Sequence, residues 1–402
     1  MTHAIDITAD RRIRHGTPAF RRTNLALFSS GFATFGLLYC VQPLMPALSH
    51  AFGVNAAESS LSLSLTTGVL AVAMLFAGAL SDAWGRKPIM LASLLGSPLL
   101  VLATAVATDW TTLLVLRALL GVTLAGLPAV AMTYVSEEIH ADSLGFAMGL
   151  YIGGNAIGGM GGRLIAGFAA DHASWRVAVG FIGMLGLIAA ALVAKGLPPS
   201  MHFERRRAHP RALASAFGSL WRDAGLPWLF AEGFLLMGAF VTVYNYASYR
   251  LLAPPFSLSQ SHVGAIFMVY LIGVGSSAWM GSIAGRLGRR HVLWVALVIM
   301  LAGVGLTTFD ALWAIVGGIA MLTFGFFGGH SIASSWVGKR AAVARAHASS
   351  FYLFSYYMGS SIAGSLGGLA WTHAGWAGVA GYVTLLVLGG LAVALKLRRL
   401  PG

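Results

Sequence analysis

The stretch Gly78-Ala79-Leu80-Ser81-Asp82-Ala83-Trp84-Gly85-Arg86-Lys87-Pro88 lies between two long apolar runs. A related stretch, Gly281-Ser282-Ile283-Ala284-Gly285-Arg286-Leu287-Gly288-Arg289-Arg290-His291, follows 203 positions later. Gly78 falls on Gly281, Gly85 on Gly288, and Arg86-Lys87 on Arg289-Arg290. A repeat at about half the length of a 402-residue chain implies two related halves. Asp82 falls on Gly285, so the halves are not equivalent at this turn.

The composition places the chain in lipid. It is 57% hydrophobic and only 10% charged, where a soluble domain carries about 25% charged residues. Its 51 glycines suit helices that pack closely in a membrane. The net charge of +13 does not point to nucleic acid, because the basic residues sit in the short segments between apolar runs. Cys40, the single cysteine, lies inside an apolar run and reads as a small buried hydrophobe, leaving no disulfide framework. The first 22 residues are polar and the run that follows is full-length, so that run is expected to be kept as the first span rather than cleaved.

A helix needs about 20 apolar residues to cross the hydrocarbon. Twelve such runs can be placed: 23–46, 59–81, 88–107, 111–135, 143–170 and 175–194, then 227–252, 261–284, 291–309, 311–337, 348–371 and 376–395. They divide the chain into a basic tail (1–22), an N-terminal six-helix bundle (23–194), a polar linker (195–226), a C-terminal six-helix bundle (227–395) and a short tail (396–402). With the N-terminus in the cytoplasm, 22 of the 26 Lys and Arg residues fall in cytoplasmic segments; the other four are Arg117, Arg163, Arg176 and Arg250. This bias predicts that both termini are cytoplasmic. A second repeat, Gly154-Asn155-Ala156-Ile157-Gly158-Gly159 against Gly359-Ser360-Ser361-Ile362-Ala363-Gly364, supports the duplication. Two six-helix units in the same orientation are a known transporter construction, with the site between them near mid-membrane.

Three motifs carry a family resemblance that covers essentially the whole chain. Gly78 through Lys87 resembles the loop-2/3 signature of the major facilitator superfamily. Arg117-Ala118-Leu119-Leu120-Gly121 resembles the arginine signature of its proton-linked members, and Gly154 through Gly159 its antiporter signature. The last departs from the family at Asn155, where proline is usual; asparagine keeps the helix unkinked and leaves a polar side chain available to a substrate. The resemblance implies a bacterial inner-membrane protein. It also implies a cavity among the first, fourth, seventh and tenth helices, and a gate in which Asp82 faces the start of the eleventh helix near Ala346 to Ser349.

Individual residues fill in that outline. Gly78, Asp82, Gly85, Arg86, Lys87, Glu137 and Glu138 form a candidate cytoplasmic gate; a solvated turn with orienting charges is the competing reading. Arg117 lies about 10 Å into its run, where a charge is expensive and usually functional. The resemblance links it to proton transfer or anion binding, against a structurally paired arginine. Arg163 is a substrate candidate, or snorkels to the far face. Glu232, an acid well inside a run, and His330, at a matching depth, are expected to form a proton-exchanging pair; the alternatives are an end-of-helix acid and a hydrogen-bonded packing histidine. Asn245, Asn155, Tyr39, Gln42, Tyr134, Tyr151, Tyr244, Tyr356 and Tyr357 are candidate cavity residues, with an interfacial belt the alternative for Tyr39 and Tyr249. A nucleotide-binding loop, a catalytic triad and a metal motif are not found, and no cofactor is expected.

These readings predict an all-α membrane protein of twelve transmembrane helices in two pseudo-symmetric six-helix bundles. It would act as a monomer, exchanging protons for a small organic compound exported by alternating access. The alternatives are symport of a sugar or organic acid, and a non-transporting membrane sensor on the same fold.

Overall fold

The computed structural model describes residues 12–203, 218, 220–341 and 345–400. The linker arginines Arg205, Arg206, Arg207 and Arg211 lie outside the described residues. Among the described residues the chain forms twelve long helices. The first six are α1 (Pro18–Phe52), α2 (Ala56–Trp84), α3 (Arg86–Ala105), α4 (Trp110–Glu138), α5 (Ala141–His172) and α6 (Trp175–Gly196). The second six are α7 (Leu226–Leu252), α8 (Gln260–Leu287), α9 (Arg289–Leu306), α10 (Leu312–Arg340), α11 (345–373) and α12 (376–399). The last two are separated by non-helical Ala374 and Gly375, the latter at φ +54°. Most are longer than the apolar runs that announced them, because polar and basic residues extend those helices past the apolar stretch.

Local chemistry sets the helix ends. α2 opens on a reciprocal cap in which Asn55 and Glu58 each accept from the other's backbone N–H, at 2.9 and 2.8 Å. Asp109, Ser174 and Ser259 cap α4, α6 and α8. The two copies of the repeated turn end α2 and α8 in the same way. Gly85 has φ +101° and Gly288 φ +91°, a conformation that only glycine adopts without strain. α1 breaks into a tight turn at Gln42–Leu44, where Pro43 removes a backbone donor. α5 runs unbroken through Asn155, as the missing proline leads one to expect.

Glycines set the packing inside each half, and the second repeat is their signature. A Cβ on Gly154 would lie 2.5 Å from the Phe28 carbonyl oxygen, and one on Gly158 would lie 2.2 Å from that of Phe32, so α5 rides directly on the α1 backbone. In the second half, a Cβ on Gly359 would lie 2.1 Å from the Phe234 carbonyl oxygen of α7. Small residues at both contacts allow the backbone approach that holds helices together in lipid. Large apolar side chains such as Phe76, Leu99, Phe168, Trp313 and Leu385 stand on the outer surface, where a membrane supplies their environment.

Candidate functional site

Between the halves lies a cavity of about 460 Å³. Its walls come from both halves: Tyr39 of α1, Met132 of α4, Tyr151, Asn155 and Arg163 of α5, Phe240 of α7, Tyr270 of α8, Phe326 and His330 of α10, and Tyr352, Tyr356 and Tyr357 of α11. The first, fourth, seventh and tenth helices take part, joined by the second, fifth, eighth and eleventh. Toward the side that carries the first and last described residues, called here the tail side, it meets a second space of about 670 Å³. Met74, Pro128, Met132, Ser349 and Leu353 border both. The second space reaches Gly78, Asp82 and Arg86 on one wall and Ala346, His347 and Ser350 on the other, so the cavity opens to the tail side.

The far side is sealed by contacts across the two halves. Gln42 Nε2 donates to Asn245 Oδ1 at 2.6 Å, joining α1 to α7. Arg163 Nε donates to Gln42 Oε1 at 2.6 Å, tying α5 into the same chain. Ser49 and Tyr249 hydroxyls meet at 2.7 Å. Beyond them, a Cβ on Gly167 of α5 would lie 2.8 Å from the Gln260 carbonyl oxygen of α8, and one on Gly368 of α11 would lie 2.4 Å from Ala57 Cα of α2. Gln42 and Asn245 thus seal the site rather than line the cavity. Arg163 does both. It borders the cavity, donates through Nη1 to the Gly159 carbonyl at 2.6 Å, and lies 4.1 Å from the Tyr39 ring centroid and 4.9 Å from those of Phe267 and Tyr270. It does not snorkel.

Several other expectations are corrected. Arg117 is buried inside the N-terminal half and borders neither space. It donates to the carbonyls of Ser62 at 2.6 Å, Leu38 at 2.8 Å and Leu37 at 3.4 Å. The latter two lie next to the α1 break, where carbonyls lose their helical donors. The Glu232–His330 pair is not formed. His330 Nδ1 meets the Tyr352 hydroxyl at 3.0 Å, whereas both Glu232 oxygens are buried without a hydrogen bond among the described residues. The carboxyl group faces α12, where a Cβ on Gly390 would lie 3.4 Å from Oε1. Tyr352 stands between the two, its ring packed on Gly233. Tyr134 turns away from the cavity to donate to the Pro198 carbonyl at 3.0 Å, and Tyr244 is used by Thr323 at 2.7 Å. Tyr352, Tyr270 and the Phe326–Phe327 pair were not singled out from the sequence; aromatic residues flanking His330 and following Phe351 were the available signal.

At the repeated turn, Arg86 gathers its own half. It donates to Ser81 at 2.9 Å, to Asp82, and through Nε and Nη2 to Glu137 at 3.1 and 2.9 Å. Lys87 donates to the Leu197 carbonyl, and Glu138 accepts from the His202 backbone at 2.9 Å. Among the described residues the expected contact of Asp82 with α11 is not made, because the open space lies between them. At the second copy Arg289 donates to Ser335 at 2.9 Å, and Arg340 pairs instead with Asp223. Burial pushes the Asp223 carboxyl up, but the hydrogen bonds from Arg340, Gly225 and Leu226 outweigh it and leave it below the ordinary aspartate range.

Comparison with known proteins agrees with this architecture. The sequence profile described as Major Facilitator Superfamily matches residues 27–254. Inner membrane transport protein YnfM of Escherichia coli (strain K12) is 50% identical over 387 residues, covering 96% of this chain and 93% of that protein. The uncharacterized MFS-type transporter YybF of Bacillus subtilis (strain 168) is 48% identical, covering 94% of this chain and 93% of that protein. Among solved structures, a bacterial homolog of the human lysosomal transporter Spinster, inward-facing and occupied, superposes with a TM-score of 0.77 at 12% identity, covering 95% of this chain and 96% of that one. A D-xylose-proton symporter superposes with a TM-score of 0.74 at 12% identity, covering 92% and 97%.

Proposed function

Because the chain belongs to the major facilitator superfamily, we propose that it exports a small organic compound across the bacterial inner membrane in exchange for protons. Secondary transport is the function of such a chain, which is a transporter rather than an enzyme. The observation that carries the reading is the asymmetry of the central cavity, open to the tail side and closed at the far side by Gln42 and Asn245. A site built between two bundles and sealed at one end is what rocking of the bundles needs.

The orientation follows from charge. Arg86, Lys87, Lys195, Arg286, Arg289, Arg290, Lys339, Lys396, Arg398 and Arg399 all lie at the tail side, which is therefore assigned to the cytoplasm. The far side holds Arg176, which donates to the Ala107 carbonyl, and Arg250, which donates to the Thr307 and Phe309 carbonyls and pairs with Asp310. Gly78, Asp82, Gly85 and Arg86 then form the cytoplasmic gate. In this open state Asp82 and Glu137 are held by Arg86; on closure Asp82 would reach the α11 start, where the helix dipole favours an acid.

Glu232 is assigned as the proton carrier, with Tyr352 and His330 leading to the cavity. An ionised carboxylate buried without a donor or cation costs several kcal/mol, so gain and loss of a proton there is tied to conformational change. The test is flux in inverted membrane vesicles challenged with a panel of small organic compounds. A transported compound should move protons out of the lumen as it enters. Proton movement in the same direction as the compound would assign symport instead, and no flux with any compound would overturn transport.

A further inference from the structure

The geometry points to an aromatic carboxylate as the ligand of the central cavity, bound through a guanidinium edge of Arg163 that Gln42 occupies in the sealed state. This deepens the transport reading and rests on it only in taking the cavity as the transport site.

Charge comes first. Arg163 is buried, and among the described residues it has no carboxylate partner. No Asp or Glu borders the cavity. A permanent cation in an apolar cavity is costly unless an anion joins it. The site therefore favours an anionic ligand and disfavours a cationic one. The second consideration is shape. The guanidinium is ringed by Tyr39, Phe267 and Tyr270, and the cavity continues along Phe326, Phe327 and Tyr356. Such walls take a flat apolar body of one or two rings.

The third consideration is the hydrogen-bond inventory. Nε of Arg163 is taken by Gln42 and Nη1 by Gly159, while Nη2 carries no hydrogen bond among the described residues. A carboxylate binds a guanidinium best through two parallel N–H bonds. Two edges offer such a pair: Nη1–Nη2, where Gly159 takes one of the four N–H groups, and Nη2–Nε, where Gln42 takes the single Nε–H; the second couples the ligand to the seal. Taking it displaces the Gln42 side-chain oxygen. Gln42 is also the residue that holds Asn245 across the halves at 2.6 Å. Binding the ligand therefore loosens the far-side seal, as a transported substrate must.

The test uses the purified full-length protein in nanodiscs, titrated with 1-naphthoate, neutral 1-naphthamide, cationic 1-naphthylmethylamine and acetate. Melting temperature and tryptophan fluorescence report binding. Naphthoate is expected to bind about tenfold or more tighter than the other three, the difference one charge-assisted pair makes. R163Q should reduce naphthoate to the level of the amide. Q42A keeps the cation and frees its Nε, and should bind naphthoate more tightly than wild type; it and the wild-type ligand series decide the matter even if R163Q does not fold. Equal binding of amide or amine, or no binding of naphthoate, overturns the anionic assignment. Unchanged or weaker binding to Q42A overturns the shared edge. Failure of the transport reading would appear separately, as absent flux in the vesicle assay.

Discussion

Gln42 and Asn245 are 203 positions apart, the offset that carries Gly78 onto Gly281, and they meet at 2.6 Å across the two halves. Across α1 and α7, however, equivalent packing contacts align Phe28 with Phe234 and Gly36 with Thr242, an offset of 206, so Gln42 and Asn245 lie about one turn apart along the duplicated unit. A contact that ties α1 to α7 across the halves changes when the bundles rock, which makes it a sensitive point for the balance of states.

Removing that contact should shift the balance. Q42A or N245A leaves one buried amide without its partner, at a cost of about 1–3 kcal/mol to the sealed state. The far-side-open population should rise by about five- to 150-fold. Distances between spin labels across the far side check this; an unchanged distribution would remove the pair from the seal.

Glu232→Gln keeps the shape of the side chain and removes the exchangeable proton. Proton-driven export should be lost, while exchange of substrate for substrate, which needs no net proton movement, should persist. Loss of both would place Glu232 in folding or binding instead, and unchanged proton-driven flux would remove it from coupling.

Gly158→Ala and Gly359→Ala test the close helix contacts. Added methyl groups would lie 2.2 and 2.1 Å from backbone oxygens of α1 and α7, which cannot move as a side chain would. Overpacking of this kind costs about 1–3 kcal/mol. The purified variants should melt at lower temperature, whereas Gly145→Ala, with nothing within 4 Å, should not.

How much of this was legible in the sequence follows from what periodicity and charge report. Apolar length and the basic segments gave the twelve helices, and the 203-residue offset gave the two halves. Depth along a helix was legible as well, and it put Arg117, Glu232 and His330 in the membrane. The direction each side chain faces was not. Each step along a helix turns the side chain by about 100°, so equal depth did not bring Glu232 to His330; Glu232 faces Gly390 and His330 faces Tyr352. Arg117 was absorbed by carbonyls at the α1 break, which depth does not reveal. The Gln42–Asn245 contact left only two amides in cavity-side runs, and neither depth nor offset says that they touch.

Asp82→Asn should weaken closure of the tail side. In the open state Arg86 retains Glu137 and Ser81, so the fold should be little changed. In the closed state the neutral side chain loses its attraction to the start of α11, worth about 0.3–1 kcal/mol. The tail-open population should therefore increase about two- to fivefold, read from a spin-label pair across the cytoplasmic entrance.

Alternating access itself is tested most directly by measuring both entrances in one preparation. Spin labels at Ser136 and Ala346 span the tail side, and labels at Glu58 and Thr372 span the far side. As the balance is moved by Q42A or by pH, one distance should lengthen in the same fraction of molecules in which the other shortens. Entrances that open and close independently, or together, would contradict a carrier in which two bundles rock about a central site.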